Sequence, residues 1–377
     1  MRVALVHDWL TGMRGGEKVL QALGDIFPSA DLFTLLHAKG SCQELVRNRR
    51  VVTSFLDALP GVARYYRYLL PLMPLAAERL DLRGYDVIVS SSHCVAKGVK
   101  VPSDALHICY CHTPMRYLWS QSGQYARRLG WLSRTAMAAF RRYLQDWDVR
   151  SAARVDLFLA NSHNVARRIE RVYGRPSTVV WPGVDTEYFC PGPQPREDFY
   201  LVLSALAPYK CVDQAVEAFG RLQRPLRVIG SGQMLKALRR SSPSNIQWLG
   251  WQSQESVREH LRRCRALIFP TEEDFGIVPV EAMACGTPVI AYQGGGALET
   301  VLDAPTDDGC GPTGLLYPSH DAQGLIGAVE RFEQTSSVFR PERLVAWADR
   351  FSMKRFRQRF VAAIEPELER RNIKGLC

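Results

Sequence analysis

Two glutamates, Glu273 and Glu281, have the residue type and the spacing to bind a ligand rich in hydroxyl groups. The first lies in a loop crowded with carboxylates, 271–275, and the second in the segment 276–284, whose composition predicts a helix. Because a carboxylate accepts hydrogen bonds from two hydroxyls at once, a pair that approaches from different sides suits sugar hydroxyls or a ribose diol. The alternative is that Glu281 complements the helix dipole and Glu273 is solvated.

The elements that must position this pair are predicted from local signals. The apolar run 266–269 ends at a proline and predicts a buried parallel strand, and a second strand begins at Val289. Between them, Pro279 falls in the first turn of the helix, where its missing N–H has no partner, and Gly286 suits the C-terminal cap. A strand, loop, helix and strand in this order place the helix N-terminus at the carboxyl end of a parallel sheet.

The N-terminus of this predicted helix is a candidate anion site. The first N–H groups of a helix have no partner within it, and the helix dipole favours negative charge there. The amides of Phe275, Gly276 and Ile277 therefore suit a phosphate group.

The residues around the two glutamates match a longer motif. Glu-Asp-Phe-Gly starts at Glu273, and Pro-x-Glu-Ala-Met-Ala-Cys-Gly-x-Pro-Val-Ile-Ala starts at Pro279. This pattern resembles the donor-site signature of retaining GT-B glycosyltransferases of family four (group 1), and the resemblance extends over nearly the whole chain. It implies that Glu273 contacts the transferred sugar and that Glu281 holds the nucleotide ribose. The Pro-Tyr-Lys form at 208–210 is similar to a bacterial polysaccharide subgroup that includes O-antigen mannosyltransferases.

The same resemblance implies roles for residues elsewhere in the chain. Lys210 matches a lysine that binds the donor diphosphate, and His112, at the end of a predicted strand, matches a histidine that contacts the donor sugar. Recognition of the base is expected on the backbone near Gly250 and Trp251. Ala205 is a departure, because the family has an arginine there whose planar fork suits a diphosphate. Either another arginine supplies this charge, or Lys210 and the helix N-terminus are sufficient.

A glycine-rich turn follows the first predicted strand, 3–6. Gly12, Gly15 and Gly16 lie between that strand and an amphipathic helix that begins near Glu17. Glycines at such a turn let the backbone approach a phosphate closely. The dinucleotide fingerprint G-x-G-x-x-G is absent, which weighs against a dehydrogenase. The resemblance implies that Gly15 and Gly16 approach the donor diphosphate or the acceptor; a tight turn without a ligand is the alternative.

Strands and helices alternate on both sides of the proline-rich segment 191–195. This pattern predicts an α/β protein with two Rossmann-like, doubly wound parallel-sheet domains facing across a cleft, which is the GT-B arrangement. The acceptor-side domain is predicted at 1–190 and the donor-binding domain at 196–349. The resemblance implies that the C-terminal helices, about 350–377, pack back on the first domain.

The composition indicates in which cellular compartment the protein works and whether its cysteines bind a metal. Ten cysteines in a chain of 377 residues with no secretory leader predict a reducing compartment. Cys109 and Cys111 precede His112, but no second ligand pair accompanies them, so we interpret them as packing residues rather than zinc ligands. The apolar run 68–77 contains two prolines and is too short to span a bilayer. We therefore expect a cytoplasmic protein.

The charge is uneven along the chain. Residues 1–190 hold 25 Lys and Arg against 16 Asp and Glu, a net charge of +9, whereas residues 191–377 hold 23 against 22. Two segments of the first half, 54–83 and 117–147, interleave arginines with tyrosines, tryptophans and leucines, which suits a membrane surface or, equally, ordinary amphipathic helices. Nucleic acid is not expected, because no RNA-binding module accompanies the charge. The candidate basic residues are Arg64, Arg67, Arg127, Arg128, Arg141 and Arg142.

Together these features predict a retaining glycosyltransferase. It would move glucose or mannose from a UDP- or GDP-hexose to a hydroxyl of a lipid-linked polysaccharide precursor at an anionic membrane surface. Glu273, His112 and Lys210 are the predicted catalytic residues, and the resemblance implies that neither a metal nor a further cofactor is needed. The alternatives are a glycan phosphorylase or sugar-phosphate synthase of the same fold, and an inactive scaffold.

Overall fold

The computed structural model describes residues 1–119, 131–305 and 311–373. The chain divides into two compact units, one formed by residues 1–181 with the C-terminal segment from Phe356, the other by residues 182–355. The linker predicted at 191–195 lies inside the second unit. The residues before it join that unit because the Val184 amide donates to the Phe351 carbonyl at 2.8 Å.

The first unit is built on a parallel sheet of seven strands. Apolar runs form its central strands, which are buried on both faces, as parallel sheets covered by helices require. The strand order is β3-β2-β1-β4-β5-β6-β7. The strands are β1 (Val3–His7), β2 (Asp31–Thr34), β3 (Val51–Thr53), β4 (Val87–Ser92), β5 (Leu106–Cys111), β6 (Leu157–Ala160) and β7 (Thr178–Val179).

Helices connect these strands. The segment 54–83, for which amphipathic helices were one expectation, instead forms three short 3-10 helices and a single short α-helix. The 3-10 helices are Phe55–Ala58, Val62–Arg64 and Tyr66–Leu72, and a fourth is Ala96–Gly98. The α-helices are α1 (Gly15–Ile26), α2 (Gln43–Val46), α3 (Met73–Glu78), α4 (Arg116–Trp119), α5 (Trp131–Ala152) and α6 (His163–Tyr173).

The second unit is built on a parallel sheet of six strands in the order β10-β9-β8-β11-β12-β13. The strands are β8 (Tyr200–Leu203), β9 (Leu226–Ile229), β10 (Ile246–Gly250), β11 (Leu267–Phe269), β12 (Val289–Tyr292) and β13 (Gly314–Tyr317). Its helices are α7 (Val212–Leu222), α8 (Leu235–Ser241), α9 (Gln254–Arg263), α10 (Ile277–Ala284), α11 (Ala297–Thr300), α12 (Ala322–Thr335) and α13 (Pro341–Asp349). The 3-10 helices are Pro208–Lys210 and Ser336–Val338.

The last helix, α14 (Met353–Arg370), begins in the second unit and packs on the first. Its buried residues recur every four positions, so they form one face of the helix. Phe356 packs against Tyr110 of β5 and Phe360 against Phe27, with ring centroids 5.9 and 6.1 Å apart.

Each sheet has a point where the strand order reverses. In the first unit this point lies between β1 and β4, and in the second between β8 and β11. Ligands of open parallel sheets bind beyond the carboxyl ends of the strands at such a reversal. The prediction of two doubly wound, Rossmann-like parallel-sheet domains is confirmed.

The predicted membrane-facing segments are described in part. Arg127 and Arg128 lie outside the described residues. Arg141 is engaged within the fold, because its Nε and Nη2 donate to the Leu118 carbonyl at 3.1 and 2.8 Å. Within the described parts of the chain, no helix combines the length and the apolar character needed to cross a bilayer.

Candidate active site

The reversal point of the second sheet brings Lys210 and Glu273 together. Lys210 ends the 3-10 turn after β8, and Glu273 lies in the loop after β11. Their side chains form an ion pair that is largely shielded, with 14% and 25% of the side chains exposed. The Thr271 hydroxyl also donates to the Tyr209 carbonyl at 3.1 Å, which ties the two loops together. A cation and a carboxylate are therefore held at one edge of the sheet.

Helix α10 begins beside this ion pair. Its N-terminal cap is Gly276 in the left-handed conformation (φ 91°), so no side chain covers the amides of the first turn. Phe275 is 3% exposed and packs against Phe351, which leaves its backbone rather than its ring for a ligand. Ile277 is the first helical residue, and Pro279 occupies the first turn as predicted.

Glu281 lies on α10 and is 4% exposed. A buried carboxylate on the helix, the amides at its start, which no capping side chain occupies, and the Lys210–Glu273 pair thus lie at one end of the sheet. The C-terminal end of the helix is as predicted, since Gly286 has φ 76° and its amide donates to the Met283 carbonyl at 2.8 Å.

A run of three glycines packs its backbone against the loop that contains Glu273. Gly294, Gly295 and Gly296 follow β12, and the Gly296 amide donates to the Glu273 carbonyl at 2.8 Å. A Cβ on Gly295 would lie 2.1 Å from that carbonyl oxygen, and one on Gly296 would lie 2.3 Å from Cα of Phe275. Only glycine fits this contact. Three consecutive glycines at the end of a predicted strand were the available signal, and sequence reasoning missed it.

The other predicted donor-binding positions of the second unit lie at the same sheet edge. Gly250 ends β10 with φ 69°, and its carbonyl accepts a hydrogen bond from the Gly230 amide at 2.8 Å. Trp251, next in the chain, is 77% exposed and presents a flat ring for stacking. Ala205 is exposed, and the loop after β8 contributes Lys210 as its basic residue.

The first unit holds the remaining predicted residues, His112, Gly15 and Gly16. His112 follows β5, and its Nε2 lies 2.8 Å from the Ser91 hydroxyl. Burial, together with the neighbouring histidines, lowers the pKa of His112 to about 3, so the ring is neutral. Helix α1 begins at Gly15, two residues earlier than predicted, because the Glu17 carboxylate accepts a hydrogen bond from the Arg14 amide.

Gly16 brings the start of α1 close to two imidazole rings. A Cβ at Gly16 would lie 3.6 Å from Cε1 of His7 and 3.8 Å from Nε2 of His112. The structure therefore places Gly15, Gly16 and His112 together in the first unit. Lys210, Gly250, Trp251, Glu273, Phe275, Gly276, Ile277 and Glu281 lie at the carboxyl edge of the second sheet.

Sequence reasoning missed three polar residues at the reversal point of the first sheet: His7, Asp8 and His93. His7 ends β1, Asp8 follows it, and His93 follows β4. All three end or follow a strand of the sheet, as His112 does, but His112 was selected by its match to a family histidine and not by this position. A histidine or aspartate at the end of a predicted strand was the available signal.

Both oxygens of the buried Asp8 carboxylate accept hydrogen bonds. Its oxygens accept four backbone hydrogen bonds, and Nδ1 of His93 lies 3.0 Å away. Burial alone would raise the pKa of Asp8, but His93 and these hydrogen bonds hold it well below its usual range. The four donors are the amides of His93, Cys94, Val95 and Ala96, at 2.6 to 3.0 Å.

A second buried ion pair, between Lys97 and Asp148, connects the turn that carries His93 to helix α5. Nζ of Lys97 lies 2.9 Å from the Asp148 carboxylate and donates to the Ser151 hydroxyl at 2.8 Å. Lys97 and Asp148 are both essentially inaccessible to solvent. Helix α5 thus fixes the turn through Lys97, and the amides of the turn fix the Asp8 carboxylate, which contacts His93.

Among residues 1–119, 131–305 and 311–373, no three His, Cys, Asp or Glu side chains are arranged to hold a metal ion. The eight cysteines within these ranges are free thiols, and Cys109 and Cys111 are buried in the core of the first unit.

Two family models match consecutive parts of the chain. The model described as Glycosyltransferase Family 4 matches residues 14–188, and the model described as Glycosyl transferases group 1 matches residues 187–346. The second match contains every donor-loop residue described above, from Lys210 to Glu281. The chain belongs to the GT-B glycosyltransferases of group 1 and family 4.

Curated relatives that this chain matches share about 30% of the aligned residues with it. It is 29% identical over 248 residues to a GDP-mannose-dependent phosphatidylinositol monomannoside mannosyltransferase of Mycolicibacterium smegmatis, covering 55% of the chain and 62% of the relative. It is 31% identical over 221 residues to a D-inositol 3-phosphate glycosyltransferase of Kribbella flavida, covering 50% of each. The chain spans about half the length of the curated relatives it matches.

Solved structures share the whole fold. HepE of Anabaena, determined in complex with UDP, superposes with a TM-score of 0.71 at 17% identity, covering 97% of this chain and 100% of HepE. At this level of identity the similarity establishes the fold of the glycosyltransferase and not its substrate.

Proposed function

We propose that this glycosyltransferase transfers a hexose from a nucleotide diphosphate sugar, with retention of the anomeric configuration, to a hydroxyl of a lipid-linked polysaccharide precursor. The observation that carries the proposal is the group at the reversal point of the second sheet. There the Lys210–Glu273 pair lies beside the start of helix α10, whose glycine cap has no side chain to hydrogen-bond the first amides.

Each part of this group has a role in the proposed reaction. Lys210 and the amides at the start of α10 bind the diphosphate and stabilise the negative charge that develops as it leaves. Glu273 accepts hydrogen bonds from hydroxyls of the transferred sugar, and Glu281 accepts them from the ribose. His112, in the first unit, donates to the sugar, because its Nε2 is occupied by Ser91 and its neutral ring retains an Nδ1–H.

No side chain is assigned as a general base. In a retaining transfer the acceptor attacks the face from which the diphosphate leaves, and a leaving phosphate oxygen takes the acceptor proton. The protein therefore contributes binding, orientation and charge stabilisation. The nucleotide sugar is the donor, and the proposal requires no metal or further cofactor.

Two relatives support the proposed donor class. The mannosyltransferase of Mycolicibacterium smegmatis depends on GDP-mannose by its name, and HepE was solved with UDP and with UDP and glucose. These two proteins support a UDP- or GDP-hexose as the donor here. The phosphatidylinositol mannoside acceptor in the first relative's name supports a lipid-linked acceptor.

A basic and aromatic surface of the first unit supports a peripheral position at the cytoplasmic face of a membrane. We call it the interfacial patch. Tyr68 is 86% exposed, and the arginines beside it are free to meet phosphate groups while the rings enter the headgroup region. The patch consists of Phe55, Leu59, Arg64, Arg67, Tyr68, Leu72, Leu75 and Arg79, all exposed.

A donor panel tests the proposed reaction. The protein is incubated with UDP-glucose, UDP-galactose and GDP-mannose, with and without inorganic phosphate, and release of the nucleotide diphosphate is measured. We expect slow hydrolysis of one donor without phosphate. NMR of the first sugar formed in the presence of an acceptor should show the donor's anomeric configuration. A phosphate requirement would indicate a phosphorylase, and no turnover or binding of any donor would indicate an inactive scaffold.

Vesicle binding tests the proposed position at a membrane. Each basic residue near an anionic surface contributes about 1 kcal/mol, and this attraction decays within a Debye length. We expect sedimentation with anionic vesicles, little with neutral ones, and release by salt. Replacing Arg64 and Arg67 by Glu should reduce both binding and activity on a lipid-linked acceptor, while donor hydrolysis persists.

The charge-matched control for that variant lies in the second unit. Arg239→Glu with Arg240→Glu, on α8, changes the net charge by the same amount at two exposed positions outside the interfacial patch. If both double variants lose vesicle binding equally, the net charge of the protein, and not the interfacial patch, is responsible for binding. Absence of binding by the unsubstituted protein at low salt would contradict the membrane proposal.

A further inference from the structure

The reversal point of the first sheet, between β1 and β4, contains a buried hydrogen-bond acceptor that no donor among the described residues reaches. His7 is 0% exposed, and its Nδ1 lies 3.0 Å from the Ser91 carbonyl. A carbonyl oxygen only accepts, so Nδ1 carries the proton and Nε2 carries a lone pair. Within the described residues that Nε2 has no hydrogen-bond partner. A buried nitrogen left in this way costs free energy unless a ligand occupies it.

Ser91 determines the protonation of two rings at once. Its hydroxyl lies 3.1 Å from Nδ1 of His7 and 2.8 Å from Nε2 of His112. Because Nδ1 of His7 is already a donor, the hydroxyl proton is directed to His112. Burial and the charge on His93 lower the pKa of His7 to about 4, so its ring stays a neutral acceptor.

His93 is the complementary donor. Burial works against its charged form, but the Asp8 carboxylate and its hydrogen bond raise the pKa of His93 overall. Asp8 occupies Nδ1, so the opposite nitrogen of a ring that is 29% exposed remains for a ligand. The ring lies edge-on to Trp9, with centroids 4.6 Å apart, and its centroid is 5.9 Å from that of His7.

We propose that this point of the sheet is a sugar-hydroxyl subsite, in which a hydroxyl donates to Nε2 of His7 and accepts from His93, whose charged form the Asp8 carboxylate favours. The ring centroids of His7 and His93 are 5.9 Å apart, a separation at which one oxygen can form a hydrogen bond of ordinary length to each ring. A hydroxyl both donates and accepts, which matches one neutral and one charged imidazole; a phosphate offers no proton to His7. Two buried hydrogen-bond networks, Asp8 with its amides and Ser91 with its histidines, hold the rings in place before the ligand arrives.

This subsite rests on the proposed transfer reaction, which provides two sources for the hydroxyl. One source is the donor hexose, and the other is the acceptor sugar. Both have the chemistry that the two rings recognise, and kinetics separates them: a contact to the donor affects hydrolysis and transfer alike, whereas a contact to the acceptor affects transfer alone.

The test uses a pair of substitutions at each histidine in the full-length protein. His7→Asn places an amide N–H where Nδ1 was, so the bond to the Ser91 carbonyl is retained while Nε2 is removed. His93→Asn likewise retains the bond to Asp8. His7→Gln and His93→Gln place the amide near the former Nε2. We expect the Asn variants to raise KM for the sugar substrate roughly tenfold, and the Gln variants to recover part of the loss.

Controls separate this role from folding and from donor chemistry. The affinity for UDP or GDP, measured by calorimetry, should stay unchanged in both Asn variants, because the residues proposed to bind the nucleotide lie in the second unit. The thermal unfolding midpoint should also stay close to that of the unsubstituted protein, because the internal hydrogen bonds are retained. Asn variants with unchanged KM for both donor and acceptor sugars would overturn the subsite.

A binding measurement works even without turnover. Imidazole ¹⁵N resonances are followed while methyl mannoside or methyl glucoside is added, and we expect Nε2 of His7 to shift as it accepts a hydrogen bond. If this shift occurs in a protein that turns over no nucleotide sugar, the proposed reaction fails and the subsite stands. If turnover is normal and the resonances of His7 and His93 do not respond, the reaction stands and the subsite fails.

Discussion

At the scale of single residues, the proposed donor site of the second unit contains an ion pair between two of its own side chains, Lys210 and Glu273. On the proposed function, a nucleotide sugar would replace this pair with two new ones, diphosphate to Lys210 and sugar hydroxyls to Glu273. Part of the binding free energy of the donor would then be used to separate the pair, and we expect donor binding to be coupled to the release of Glu273.

Glu273→Gln tests this coupling. Turnover should fall by about 10²-fold, because the carboxylate that orients the sugar is lost. Affinity for free UDP or GDP should rise, because Lys210 no longer has a competing carboxylate. Calorimetry of the nucleotide and steady-state kinetics measure the two effects, with the exposed neighbour Glu272→Gln as the matched control. Weaker nucleotide binding in Glu273→Gln would show that the pair does not compete with the diphosphate.

Glu281 is expected to act on the other end of the donor. Glu281→Ala removes a buried carboxylate proposed to accept hydrogen bonds from the ribose. Binding of UDP or GDP should weaken by roughly 1–3 kcal/mol, as expected for lost hydrogen bonds to a charged group. The same calorimetric titration checks this, and an effect on nucleotide affinity equal to that of Glu273→Gln would remove the division of roles between the two glutamates.

At the scale of secondary-structure elements, function depends on loops that follow neighbouring strands. The loop after β12 supports the loop after β11 through a contact that accepts no side chain. The turn after β4 closes around Asp8, which follows β1. In the second unit Glu273 is held by the backbone of another element, and in the first unit Asp8, which positions His93, is held in the same way, so both proposed sites are ordered before a ligand binds.

Gly295→Ala is the sharpest test of that support. Its Cβ would lie 2.1 Å from the Glu273 carbonyl at a φ of 60°, so the Glu273 loop must move. We expect a destabilisation of roughly 1–3 kcal/mol in urea unfolding and a larger loss of turnover than of nucleotide affinity. Gly327→Ala on α12 is the matched control, because nothing lies within 4 Å of its Cβ position. Full activity in Gly295→Ala would show that the loop tolerates displacement.

At the scale of the whole molecule, the two units differ in charge and in how they respond to acid. The first half of the chain holds nearly all of the excess positive charge. It also holds the buried histidines His7 and His107 and the partly buried His112, whose pKa values desolvation lowers to about 4, 4 and 3, so all three rings are neutral. The protein is therefore expected to be acid-sensitive through its first unit.

The sign of this effect follows from where the protons bind. In the unfolded chain these three rings titrate near 6.5, whereas in the folded state they stay neutral until about pH 4, so stability is full above pH 6.5 and falls as the pH decreases below it. The slope near pH 5 should be roughly 4 kcal/mol per pH unit for three protons. The pKa of His93 is raised in the folded state, so the ion pair of this ring with Asp8 stabilises the folded protein below pH 6.5. This contribution is lost only as the pH rises. The carboxylate of Asp8 contributes stability that is lost in stronger acid.

Urea unfolding at pH 7, 6 and 5 measures this slope. His7→Asn should reduce it by roughly 1.4 kcal/mol per pH unit, because one of the three protons no longer binds on unfolding. Stability that is constant from pH 7 to pH 5 would show that these rings are protonated in the folded protein.

The sequence by itself determined the features that depend on neighbouring residues. An apolar run bounded by Pro270, a proline in a first helical turn and Gly286 after the helix act over a few residues, so β11 and α10 were predicted correctly. The motif around Glu273 and Glu281 identified the family, since it is contiguous in the chain. The alternation of strands and helices was sufficient for two doubly wound sheets.

Only the tertiary structure decided which strand ends are neighbours. Strand order depends on which apolar surfaces are buried together, and this is a property of the whole chain rather than of any segment. It brings Lys210 to Glu273, Gly295 to the Glu273 carbonyl, and His7 with Asp8 to His93, although these partners are far apart in the sequence. The unused nitrogen of His7 is visible only after every buried donor around it has been assigned, because hydrogen-bond satisfaction is decided by packing and not by residue type.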